Sequence, residues 1–83
     1  MGEQIFRLVV ALRIKQLCAE RKITVNALAA AAGVAPSTIY NILNSARKNV
    51  RVVTIIKLCN GFGISPKEFF DTEIMRALEQ EIA

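Results

Sequence analysis

An 83-residue chain has room for one domain and a modest core. Its apolar fraction of 53% is high for that size and leaves surface to share with a second copy, yet no apolar run nears the roughly 20 residues of a membrane span. The net charge of +4 hides an asymmetry: through Lys67 ten basic residues face only Glu3 and Glu20, whereas from Glu68 onward five acidic residues face only Arg76. A basic body attracts polyanions, although on charge alone plain surface solvation explains it equally well. Histidine is absent, and Cys18 and Cys59 are too few and too far apart for a disulfide framework or a zinc site. The expectation is therefore no enzyme, no cofactor and no metal, with both cysteines reduced at apolar helical positions. The Ile5–Leu12 stretch is broken by Arg7 and lacks a small-residue cleavage site, so no signal peptide is read and a cytoplasmic location is expected.

Helical periodicity runs almost throughout. The first helix is predicted over about Glu3 to Arg21, with Phe6, Val10, Ile14 and Leu17 as its stripe. Ile5, Leu8, Val9 and Leu12 make that face wider than one small core needs. Thr24 is placed to cap a second helix over Val25 to Ala32, anchored by Leu28 among alanines small enough to let another helix approach closely. Gly33 ends it, with Val34 packing back beneath the turn. Pro36, at a first helical position, opens a third helix running to Asn44. Ile39, Ile42 and Leu43 form its buried stripe. Its outer face is built of hydrogen-bonding rather than charged side chains.

After a basic loop over Ser45 to Val50, a fourth helix over about Arg51 to Gly61 is expected to bury Val52, Ile55, Leu58 and Cys59, with Phe62 just past it and Gly61 and Gly63 as terminators. Ser65-Pro66-Lys67-Glu68 reads as a capping box opening a fifth short helix with Phe69 and Phe70. Asp71 can cap a last helix, Thr72 to about Ile82, with Ile74, Leu78 and Ile82 at spacing four. No repeat or linker interrupts residues 1–83, so they read as one domain.

Two short helices about a glycine turn, roughly residues 24–44, have the makings of a helix-turn-helix. In such a pair the second helix enters the major groove, where base edges offer distinguishable donors and acceptors, while flanking groups hold phosphates and set the register. Ser37, Thr38 and Asn41 are the base-reading candidates, asparagine being able to pair bidentately with adenine. Thr24, Asn44, Arg47, Lys48 and Arg51 are phosphate-contact candidates. Taken singly, such serines and asparagines more often cap and solvate helix ends; as a set on one outer face they point to recognition.

Ile23-Thr24, Leu28-Ala29, Ala32-Gly33-Val34 and the run Ser37 to Ile42, continued by Thr54-Ile55, Leu58-Cys59, Phe62 to Ser65 and Glu68 to Phe70, resemble the lambda-repressor-like Cro/CI (XRE) family over about Leu12 to Asp71. The resemblance implies an all-α fold: a compact five-helix DNA-binding domain, here with an added C-terminal helix. It also implies a transcriptional regulator, typically a dimer on its operator. Carried over by position, the family's base-reading places fall on Ala35, Pro36, Ser37 and Asn41, and its backbone contacts on Thr24, Val25, Asn44 and the following loop. Val25 stands where the family often has a phosphate-holding glutamine, a contact Asn26 could replace. Pro36 offers only apolar contact, so readout leans on Ser37, Thr38 and Asn41, with Tyr40 a further phosphate donor. Ser45 stands in place of a frequent glycine. Cys18 and Leu43 stand where many members place a buried arginine–glutamate pair, an exchange that is usually tolerated.

The leading expectation is thus a sequence-specific regulator, a repressor, whose partners are a double-stranded DNA operator and a second copy of itself. Neither a membrane nor a small-molecule ligand is expected. The surplus face of the first helix and the Ile74, Leu78, Ile82 stripe are the two candidate dimer surfaces, packing of one against the other being the intramolecular alternative. An antitoxin-like or adaptor module whose main partner is a protein is the alternative function.

Overall fold

The structure, a computed structural model, describes residues 2–44, 50–73 and 76–77, with side chains from residue 6 onward. Five helices follow in order: α1 (Gly2–Arg21), α2 (Val25–Ala32), α3 (Pro36–Asn44), α4 (Val52–Phe62) and α5 (Pro66–Phe70). The fold is all-α and compact, as the resemblance implies. Every helix contributes at least one large, fully buried side chain to a single core: Val10 and Ile14, Leu28, Ile39, Leu58 and Phe69. At the rim Phe70 stacks on Phe6, ring centroids 5.8 Å apart, and meets Phe69 edge-on at 5.0 Å.

Three of the helix ends share one local device. The residue just past the helix adopts a left-handed backbone at Lys22, Gly33 and Gly63. The next amide then reaches back five residues: Ile23 donates to Cys18, Val34 to Ala29 and Ile64 to Cys59, each at 3.0–3.1 Å. That pattern satisfies carbonyls the helix leaves orphaned. It also folds the branched side chains of Ile23, Val34 and Ile64 onto the core. Thr24 and Ser65 follow directly as N-caps, their hydroxyls accepting from the amides of Ala27 and Glu68. Sharp turns between short helices follow from this chemistry without long loops.

Packing departs from the sequence expectation at Val52 and Gly61. Val52, expected in the buried stripe of α4, is 69% exposed, because the helix starts there rather than at Arg51 and turns its first residue outward. Gly61 is not a terminator. It lies inside α4, where a Cβ would sit 3.0 Å from both the Cβ and the backbone nitrogen of Ala32. α2 and α4, the most extensively packed pair, approach there at backbone distance. In α1, Val9 is buried, but Leu8 and Leu12 face outward.

Beyond α5, the described part of the expected last helix is Thr72, Glu73, Arg76 and Ala77, with the Arg76 amide bonded to the Thr72 carbonyl and its guanidinium on Asp71. Ile74, Leu78 and Ile82 lie outside the described residues. Both cysteines are free thiols, and burial pushes each above its ordinary pKa, so neither is primed as a nucleophile.

Candidate nucleic-acid interface

α3 is held by Ile39 and Ile42, which are buried, and by Leu43, which is half-buried. At about 100° per residue the remaining side chains fall on the opposite side. Pro36, Tyr40, Asn44, Ser37 and Asn41 follow one another around an arc of about 140°, and all five are exposed. Thr38 sits at the edge of that arc and is half-buried. Its amide bonds back to the carbonyl of Ala35 at 3.0 Å. The outer face of α3 is therefore Ser37, Asn41 and Asn44 with Pro36 and Tyr40 beside them, and Thr38 reaches it only from the flank.

The N-terminus of α3 differs from those of α2 and α5. Like Pro66 of α5, Pro36 brings no amide hydrogen, but Ala35 before it, unlike Thr24 and Ser65, has no side-chain oxygen to cap the amides that follow. α2 packs directly against α3. At the start of α2, Thr24 and Asn26 are exposed, and Val25 is half-buried. The Thr24 hydroxyl accepts from Ala27 at 3.0 Å, which leaves its own proton free to be donated outward. Arg51, at the N-cap of α4, is exposed and makes no capping bond with its side chain. Arg47 and Lys48 lie outside the described residues.

Three arginines of α1, which the sequence shows only as positive charge, are committed within the fold. Arg7 is buried and donates to the carbonyl of Ile42, at the end of α3, at 2.9 Å. Arg13 donates to the carbonyls of Phe69 and Glu68, at the end of α5, at 2.6 and 2.8 Å. Arg21 donates to the Phe62 carbonyl, at the end of α4, and lies over the Phe62 ring. Each places a cation at the negative end of a helix dipole, where it is stabilising. Helix periodicity could not have found these bonds, since the partners are 35, 56 and 41 residues away and are backbone atoms.

Among the described residues no group of three or more His, Cys, Asp or Glu is placed to hold a metal ion, and no helix is long and apolar enough to cross a membrane. The exposed arc thus offers hydroxyl and amide groups on one side of a short helix, with Thr24, Asn26 and Arg51 as further exposed polar or cationic groups at the starts of the helices before and after it. No curated protein and no solved structure matches the chain. A profile of the Cro/C1-type HTH DNA-binding domain matches residues 13–73, well over half of it, from the middle of α1 to just past α5. The helix pair α2 and α3 lies inside that match, and the chain belongs to the Cro/C1-type helix-turn-helix DNA-binding family.

Proposed function

We propose that this protein is a cytoplasmic, sequence-specific transcriptional repressor that occupies its operator as a homodimer, with α3 in the major groove. The observation that carries the reading is the division of α3 into a buried apolar side and an exposed arc of short polar side chains. Ser37 and Asn41 read base edges, asparagine pairing bidentately with adenine, and Pro36 gives apolar contact such as a thymine methyl accepts. Thr38 contributes from the flank. Thr24, Asn26, Tyr40, Asn44 and Arg51, with Arg47 and Lys48 of the loop, hold phosphates and fix the register. Repression follows from occupancy alone.

Selection of binding sites from a random duplex pool, followed by affinity measurements at several salt concentrations, tests the reading. The expected result is an inverted-repeat consensus, half-sites about 34–36 Å apart, and affinity that falls steeply with salt. Binding with no sequence preference would overturn it. It would favour a protein-interaction module of the antitoxin or adaptor kind, a reading supported by the exposed apolar trio Val52, Val53 and Ile56 at the start of α4.

A further inference from the structure

The buried arginine of α1 has no counterpart elsewhere in the core: Arg7 is 8% exposed and is the one buried charged side chain among the described residues. Its Nη1 reaches the Ile42 carbonyl, while its Nε, also buried, has no hydrogen-bond partner among them. An unsatisfied buried donor is unfavourable, so simple packing would be served better by an apolar side chain of similar length. What the arginine supplies is a fixed point on α3. Ile42 carries one of the last four carbonyls of that helix, which lack partners within it, and α3 has no basic residue in its own last turn. The Ile39 and Ile42 side chains bear on the rotation of α3 about its axis; helix carbonyls point along the axis, so a bond to a terminal one bears on its position lengthwise. Base contacts depend on placement to about half an ångström.

The geometry points to Arg7 as a positioning residue for sequence discrimination, one that sets the lengthwise register of α3 through the Ile42 carbonyl while contacting no DNA. This role rests on α3 being the reading helix. Arg13 and Arg21 serve as internal controls, because they make the same kind of bond to the ends of α5 and α4.

The experiment compares Arg7→Met, Arg7→Lys, Arg13→Met and Arg21→Met with the parent on the selected site and on a scrambled duplex, at the same series of salt concentrations and at a temperature where circular dichroism shows each variant folded. Arg7→Met is expected to lower the ratio of specific to non-specific affinity by about tenfold, the effect of one mismatched base pair, with non-specific affinity and its salt slope unchanged. Arg7→Lys recovers part of the ratio, and Arg13→Met and Arg21→Met keep it even where their melting temperatures fall. An unchanged ratio in folded Arg7→Met overturns the role, as does an equal fall in the two control variants. Should Arg7→Met not fold, Arg7→Lys carries the test with the carbonyl carbon shift of Ile42 as a second readout: a displaced shift with a reduced ratio supports the role, and a displaced shift with the parent's ratio, or an unmoved shift, overturns it. A parent protein without discrimination sinks the reading of α3 itself; a discriminating parent whose Arg7 variants match it sinks only the arginine's role.

Discussion

The angle at which a residue leaves α3 decides its work, and Asn41 shows how far that argument reaches. Its neighbours in sequence, Tyr40 and Ile42, point toward the Pro36 side of the exposed arc and into the core respectively, while Asn41 is exposed at the other end of the arc beside Ser37, one turn earlier. An exposed asparagine with no structural bond to keep contributes little to folding, so its removal should be silent in stability. It can nevertheless offer a donor and an acceptor together to one adenine. Asn41→Ala is accordingly expected to leave the melting temperature and non-specific DNA affinity unchanged, and to weaken binding to the selected site by about 1–3 kcal/mol while relaxing preference at a single base position. Repeating site selection with the variant is the measurement. A consensus identical to the parent's would remove Asn41 from the interface. Lys22 gives a second residue-scale prediction. It holds φ at 53° without being glycine, a strain of about 1–2 kcal/mol that glycine avoids, less the flexibility glycine adds to the unfolded chain, roughly 0.4–1 kcal/mol. Lys22→Gly should raise stability by about 0.5 kcal/mol, or about 2–4 °C in a domain of this size, in a thermal melt.

Helices were legible in the sequence where their signals are local. Thr24, Gly33 and Ser65 act through bonds spanning three to five residues, and Pro36 through its own fixed φ, so the helix starts and the turn between α2 and α3 follow from local sequence, and the helix-turn-helix with them. What the sequence could not show depends on neighbours distant in the chain. Gly61 illustrates it: a glycine near the end of an apolar run reads as a stop, and only the arrival of Ala32 from α2 reveals that its missing side chain is needed for packing. The exposed Val52 and the carbonyl bonds of Arg7, Arg13 and Arg21 escaped for the same reason. Thr38 was close, misplaced by the few tens of degrees that separate an outer face from its flank. Gly61→Ala tests the element-scale account. Alanine would gain about 1 kcal/mol in helix propensity, yet its Cβ would meet Ala32 backbone nitrogen and Cα at 3.0 and 3.1 Å, atoms that cannot swing aside. Overpacking of this kind costs about 1–3 kcal/mol, so the net expectation is a loss of about 1 kcal/mol in a denaturant titration. A stabilised variant would show that α2 and α4 have room to separate.

At the scale of the whole molecule, size bears on assembly. The chain measures 36 × 25 × 21 Å, and successive half-sites on one face of a duplex lie about 34–36 Å apart, so two copies reading adjacent half-sites sit side by side and close enough to touch. Among the described residues two exposed apolar surfaces are placed to make that contact. On α1, Leu8 and Leu12, at 49% and 52% exposure, lie one helical turn apart on the side opposite Ile14, with exposed Ala19 further along and Lys15 and Gln16 as polar borders. On α4, Val52, Val53 and Ile56 form a second patch immediately after Arg51. For the homodimer proposed above, the α1 stripe is the better surface on two grounds. It lies on the longest helix, which the Arg7, Arg13 and Arg21 bonds tie to the ends of α3, α5 and α4, so a contact there is transmitted to the reading helix through rigid structure. It also leaves Arg51 clear for phosphate, whereas a partner on Val52 and Val53 would crowd it. Leu12→Glu is expected to give a monomer by sedimentation equilibrium with its circular dichroism intact, because the side chain already faces water. On an inverted-repeat duplex its affinity should fall by tenfold or more, about 1.4 kcal/mol or beyond, while a single half-site is bound as before. Val53→Glu should remain dimeric. The reverse outcome, dissociation by Val53→Glu and not by Leu12→Glu, would move the twofold axis to α4.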